Sequence, residues 1–361
     1  MPQMNSAGPN LTYITFIARK AVIFGSVGLV TLIVGRVVIT TAVAWWKTMN
    51  PPPPPPPTVG FGILPALTFP EQDAEDKPLS YKLETPNGTT PYFSDRAKVF
   101  LVQHAAPNLL ADENAKKQAA TYGYVFEPDK LPGNIYRWSK TTPIQSTFEY
   151  NILSGHMRLT TDYLSRPELL TNPDLPTGFD AVKKVKDFLK KGSLLGADMA
   201  TASGEISYLK ALGDDLETAV SPSDADFIQV DLNRTPIDSQ YRMYTPNGFE
   251  GIVTAILTGS LPDQDMIVYL KSGYHVIDYS IVHTYPLRSS ADAWKLLKAG
   301  EGYIADPGDD ENVVIRDIQL GYFDTNETQD YLQPVYVFYN PEDGFLGYVP
   351  ALDPQFTQSE Q

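Results

Sequence analysis

The chain contains no cysteine, which excludes disulfides, thiolate nucleophiles, cysteine zinc sites and iron–sulfur clusters. Histidine is scarce, with four in 361 residues. His104, His156, His275 and His283 form neither HExxH nor HxH. His275 and His283 could share one strand face, but two histidines without a nearby carboxylate make a poor metal site. There is no GxSxG and no phosphate-binding glycine loop. Positive charge is also in short supply: 28 basic residues against 43 acidic, a formal charge of −15. Such a surface repels phosphate backbones, so nucleic acid is not an expected partner.

Acid is missing altogether from residues 1–57, where Arg19, Lys20, Arg36 and Lys47 give +4. Residues 58–361 hold 24 basic and 43 acidic residues, −19. The two parts therefore face different surroundings. Between Lys20 and Lys47 lie 26 residues with Arg36 as their single charge. A helix of that length, rising about 1.5 Å per residue, exceeds a hydrocarbon core about 30 Å thick. Residues 21–46 are read as a transmembrane helix with the lipid bilayer as its partner. Arg36 snorkels to an interface along its stem, and Trp45 and Trp46 fit an aromatic belt. Two basic residues before the span against one after it place residues 1–20 in the cytoplasm and the C-terminal domain outside. The expectation is a single-pass plasma-membrane protein. Cleavage after Ala44, at the small-x-small step Ala42-Val43-Ala44, is the rival, but the apolar run is far longer than an h-region of about 7–15 residues.

Pro51 to Pro57 are seven consecutive prolines. Fixed φ and missing N–H groups make them a polyproline II rod of about 22 Å. Placed just beyond Trp46, the run reads as a stalk rather than a docking motif, with residues 47–80 as stalk and linker. Beyond it the pattern is α+β. Helices are expected over 111–122, 180–191 and 291–299, each stopped by a glycine and each followed by antiparallel strands. The helix over 180–191 carries Val182, Val185, Phe188 and Leu189 on one face and five lysines on the other, a solvated face. Trp294 is expected to be buried against the aromatic strand over 274–284. The openings Asp180-Ala181-Val182-Lys183 and Asp292-Ala293-Trp294-Lys295 echo each other, suggesting repeated units of one helix on a curved antiparallel sheet. Prolines and an Asn-Pro step between residues 166 and 178 suggest a boundary. The expected organisation is a first ectodomain unit over 81–165, a second over 178–353 with two helix-plus-sheet pieces, and a loose tail over 354–361.

Catalytic candidates are few. Ser207-Tyr208-Leu209-Lys210 is an SxxK, and Lys271-Ser272-Gly273 resembles the KTG strand of the penicillin-binding enzymes. Ser207 and Lys210 fall in an alternating, strand-like stretch and so point to opposite faces, and no SxN lies between the motifs. The loop Asp306-Pro307-Gly308-Asp309-Asp310-Glu311-Asn312 clusters carboxylates without the alternating spacing that surrounds one calcium ion. No catalytic, cofactor or metal residue is assigned.

The C-terminal third has the cadence Gly300-Glu301-Gly302-Tyr303-Ile304, then Leu320-Gly321-Tyr322-Phe323, then Gln333-Pro334-Val335-Tyr336-Val337-Phe338. Over residues 290–340 this resembles the YycH/YycI proteins and, more distantly, PepSY-type modules. The resemblance implies a single-anchor extracytoplasmic α+β domain that regulates a membrane kinase or peptidase, and it carries no catalytic residue. The sequence thus favours a non-catalytic, membrane-anchored binding or regulatory protein of the bacterial cell envelope, with an envelope or membrane protein as partner. The alternatives are a cell-wall-acting serine enzyme using Ser207 and Lys210, and a structural subunit of an envelope assembly.

Overall fold

An apolar sequence with no polar face makes a helix with nothing of its own to pack on. Helix α1, Leu11–Met49, is 39 residues long, about 58 Å at 1.5 Å per residue. Its large apolar side chains from Tyr13 to Met49 are exposed along the whole length. Ser26, Thr31, Thr40 and Thr41 donate their hydroxyls to carbonyls three or four residues back, which hides their polarity inside the helix. The stretch Tyr13–Met49 is long and apolar enough to cross a membrane. It starts earlier than residue 21 because Leu11 to Ile17 continue the apolar pattern.

The structure, a computed structural model, describes residues 11–50, 55–72, 80–104, 109–170, 174–308 and 312–358. It divides into two compact units, Met1–Pro56 and Pro57–Gln361. Residues 51–54 of the expected stalk lie outside the described residues.

The second unit is α+β, built on two curled, largely antiparallel sheets. Its strands are β1 Ser80–Leu83, β2 Arg96–Gln103, β3 Asp129–Leu131, β4 Ile135–Lys140, β5 Ser146–Asn151, β6 Met157–Thr161, β7 Glu205–Leu212, β8 Asp215–Thr218 and β9 Phe227–Leu232. They continue as β10 Met243–Tyr244, β11 Val253–Leu257, β12 Ile267–Ser272, β13 Val276–Pro286, β14 Tyr303–Asp306, β15 Asn312–Ile315, β16 Asp317–Phe323, β17 Tyr331–Tyr339 and β18 Leu346–Pro350. A nine-stranded antiparallel sheet has the order β3-β4-β5-β6-β12-β11-β9-β7-β8. A seven-stranded sheet runs β10-β16-β17-β18-β14, with β2 joining β17 to β13. Strands β1 and β15 form a separate parallel pair.

Helices α2, Ala111–Thr121, and α3, Gly178–Lys191, lie on the nine-stranded sheet. Ala115 and Ala119 of α2 and Ala181, Val185 and Leu189 of α3 reach a core shared with Phe148, Ile228, Val230 and Val253. The short helix α4, Ala197–Ala200, follows. Helix α5, Ser290–Lys298, covers the seven-stranded sheet through Ala293 and Leu297, which meet Ile318, Leu320, Phe338 and Val349. Trp294 is not buried against β13 as expected. It is half-buried, 5.9 Å from Phe338 and 6.4 Å from Tyr81, because Ala293 and Leu297 take the inward positions.

The expected boundary at 166–178 does not separate two sheets. Strand β6 pairs with β12, and β2 pairs with β13 and β17, so strands from either side complete each other's edges. Two further expectations are corrected. Residues 58–72, read as linker, form a strap on the body, and residues 354–358, read as loose tail, receive it. Leu64 and Leu67 are buried. The Leu64 N–H donates to the Phe356 carbonyl at 2.9 Å, and the Gln358 N–H donates to the Leu64 carbonyl at 2.8 Å. Phe69 stacks on Tyr303 at 4.9 Å. The apolar side chains at 64, 67 and 69 fill grooves that solvent would otherwise occupy, and their burial favours the ordered strap.

Candidate functional site

Ser207 lies in mid-strand on β7, opposite Gln229 of β9. Lys210 points to the other face, where its Nζ is 2.5 Å from Asp224 Oδ1. Lys271 to Gly273 end β12, three strand steps from β7, about 14 Å across the sheet. Ser207 therefore heads no helix, where the serine of an SxxK enzyme sits. Three of the four histidines, His104, His156 and His275, line one small hollow, where His104 bonds Asp330 at 2.8 Å; His283 is not among them and bonds Thr58 at 3.2 Å. His275 Nε2 sits 3.3 Å from Asp324 Oδ1. Among the described residues no group of three or more His, Asp or Glu is arranged to hold a metal ion. Residues 309–311 of the acidic loop lie outside the described residues.

A large concavity lies where α3 overhangs one end of the nine-stranded sheet. It is an open cleft of about 1040 Å³, at the upper end of the ~300–1000 Å³ usual for ligand pockets. Its walls are the lysine face of α3, the segment after α2, the loop between β4 and β5, and the loop leading into β12. Each wall has a local cause. Thr177 caps α3 by accepting the Asp180 N–H at 3.3 Å, which fixes the azimuth of the lysines. Gly123, at φ +84°, ends α2 and turns the chain so that Tyr122 and Tyr124 both face inward. Tyr122 stacks on Phe188 with centroids 4.2 Å apart and donates its hydroxyl to the Phe188 carbonyl at 3.1 Å. Tyr124 donates to Ser146 Oγ at 2.9 Å. Burial pushes the Tyr124 phenol up to about 12 and the Tyr122 phenol higher still, so both are neutral.

Charge in the cleft is balanced. Four lysines (140, 183, 184 and 191) face four aspartates (180, 187, 263 and 265). Lys140 Nζ lies 3.2 Å from Asp265 and 5.0 Å above the Tyr124 ring. Lys184 meets Asp263 at 2.9 Å, and Lys183 meets Asp187 at 3.6 Å. The lysine face of α3 is therefore one wall of a cavity, not merely a solvated surface. No histidine lines the cleft. Buried neutral phenols floor the cleft, and the exposed lysines and aspartates on its rim are the groups a ligand would meet.

A second polar assembly was not legible in the sequence. Arg234, fully buried just after β9, donates from Nε to Asp324 Oδ2 at 2.7 Å, from Nη1 to Asp198 Oδ2 at 2.8 Å and from Nη2 to the His275 carbonyl at 2.7 Å. Its guanidinium lies 4.4 Å from the Tyr274 ring centroid. Asp198 also accepts the hydroxyls of Tyr274 at 2.9 Å and Tyr279 at 2.8 Å. Burial alone would raise the Asp198 carboxyl, but Arg234 and the two phenols outweigh it and hold the group below its ordinary range. Asp324 follows β16, so Arg234 braces the two sheets together. Its donors are committed to structure, so the assembly acts as a brace rather than as a ligand site.

No family model and no curated protein matches the chain. Among solved structures it is similar to an uncharacterized protein from Eubacterium rectale, at 11% identity over 72% of this chain and 82% of that one, with a TM-score of 0.32. A likeness of that size carries no argument about fold or function.

Proposed function

We propose that this chain is a membrane-anchored, non-catalytic binding or regulatory protein of the bacterial cell envelope, with the cleft beneath α3 as its ligand site. The observation that carries the reading is a large, charge-balanced, aromatic-walled cleft on a chain that also has a membrane-length apolar helix. Arg19 and Lys20 against Lys47 favour a cytoplasmic N-terminus and an external C-terminal domain. On this reading residues 51–57 are a polyproline stalk, and the helix-plus-strands pieces are variants of one unit. The partner is an envelope or membrane protein, in keeping with the YycH/YycI-like cadence over residues 290–340.

The test is capture from detergent-solubilised native membranes with the tagged protein and with a Lys183→Glu/Lys191→Glu variant. Both lysines are exposed on the cleft wall, so the fold should be kept, with only a small drop in melting temperature from the lost Lys183–Asp187 pair. Loss of the captured species with the variant supports the cleft. Undiminished capture overturns it as the binding site.

A further inference from the structure

The face of the nine-stranded sheet opposite Phe148 carries a row of charged residues on consecutive strands. The register places Arg137 of β4 opposite Glu149 of β5, Glu149 opposite Arg158 of β6, and Arg158 opposite Lys271 of β12. Opposite charges are the favourable arrangement for such cross-strand pairs, and like charges directly opposite are destabilising. Glu149 is taken by Arg137, at 2.6 Å. Arg158 and Lys271 then stand side by side, and neither forms an ion pair among the described residues. Cross-strand partners have Cβ atoms about 5 Å apart. This pairing of two cations occurs on a domain whose sequence from residue 58 onward carries −19, where acidic neighbours were abundant.

Both cations open into a hollow of about 260 Å³ that Glu149, its charge met by Arg137, and His156 also line, and where Ser272 of β12 and Asn326 of the β16–β17 connection add uncharged polar groups. None of the cleft-lining residues contributes to it. The guanidinium fork can take two oxygens of a tetrahedral anion, and the lysine adds a point charge on a third. Two adjacent cations match a dianion better than a singly charged carboxylate. We propose that the hollow at Arg158 and Lys271 is a binding site for a phosphate group, either free phosphate or the headgroup of a phospholipid. A bound phosphate would relieve the repulsion between the two cations, so ligand and fold stabilise each other. The site is independent of the cleft and of whatever binds there.

The experiment uses the full-length protein in a neutral detergent, titrated with sodium phosphate at ionic strength held constant with sodium chloride. The expected result is a saturable rise in melting temperature together with broadening of the phosphate ³¹P line, both lost in Arg158→Gln/Lys271→Gln. A rise that persists in the double variant, or that chloride alone reproduces, means an adventitious ion only and overturns the proposal. The ³¹P line keeps the test valid if the variant's own melting temperature moves. A second arm titrates short-chain phosphatidic acid below its micelle concentration. Tighter binding than phosphate, dependent on the same two residues, identifies a lipid headgroup; equal binding identifies free phosphate. No response to either overturns the site.

Discussion

At the scale of single residues, the most consequential side chain is Arg234. Its guanidinium has no exposed surface and neutralises one fully buried carboxylate, Asp324, and one nearly so, Asp198. Arg234→Ala leaves both uncompensated and should cost about 3–5 kcal/mol in urea unfolding, the usual cost of breaking a buried ion pair from one side. The partners lie 36 and 90 residues away in the chain, and no single-sequence pattern joins them. The strand placement of Ser207, by contrast, was legible, since alternation along a strand is a local property. Acid stability is also decided by individual residues. Burial and then the neighbouring His275 push His156 down to about 4, and burial depresses His275 as well. The unfolded chain, with histidines near 6.5, therefore binds more protons than the folded one below that pH. Stability should be complete above about pH 6.5 and fall as the pH drops towards 4, by up to about 3 kcal/mol for His156. Thermal melts between pH 7 and 4 check this: His156→Gln should flatten the decline, and an unchanged profile would remove His156 as its cause.

At the scale of elements, the long amphipathic helices were readable because their apolar spacing is strong, and α3 departs from expectation by only two residues at its start. The short strands were not. Strands β8 and β3 are edge strands of four and three residues and carry charges, as solvent-facing edges do, so no apolar alternation marks them. The apolar run over 313–323 forms two strands: β15 pairs in parallel with β1 while β16 pairs with β17, and the break at Arg316 lets one run serve two neighbours. Ser289 caps α5, accepting the Asp292 N–H at 3.1 Å, while Ser290 donates to the Pro91 carbonyl at 2.6 Å. Ser289→Ala should cost about 1 kcal/mol, measured by chemical denaturation. Trp294→Ala should cost about 1–3 kcal/mol, less than a fully buried tryptophan would, because half of the ring already meets solvent.

At the scale of the whole molecule, the α+β class was legible and the partition was not. Sequence punctuation marks where the chain turns, and the prolines near residue 170 do mark an irregular connection. It does not tell which edges later find each other. The β6–β12 pairing joins residues about a hundred positions apart, and it is what makes one sheet out of two candidate units. Residues 81–165 and 178–353 expressed separately should therefore fail to fold, each exposing unpaired strand edges, whereas residues 57–361 should melt in one cooperative transition. Circular dichroism of the three pieces decides the matter, and a cooperative melt for 178–353 alone would restore the boundary.

The strap over residues 58–72 gives the molecule a mechanical property. A pull arriving at Pro57 does not straighten a slack hinge; it reaches Leu64, bridged in parallel to Thr357. Ahead of that bridge the Thr58 N–H donates to Thr284 Oγ1 at 3.1 Å and the Val59 N–H to the Thr284 carbonyl at 3.1 Å, so several bonds must open before the strap lifts. Within this unit, a load entering at residue 58 is therefore met by bonded backbone, and lifting the strap means breaking it.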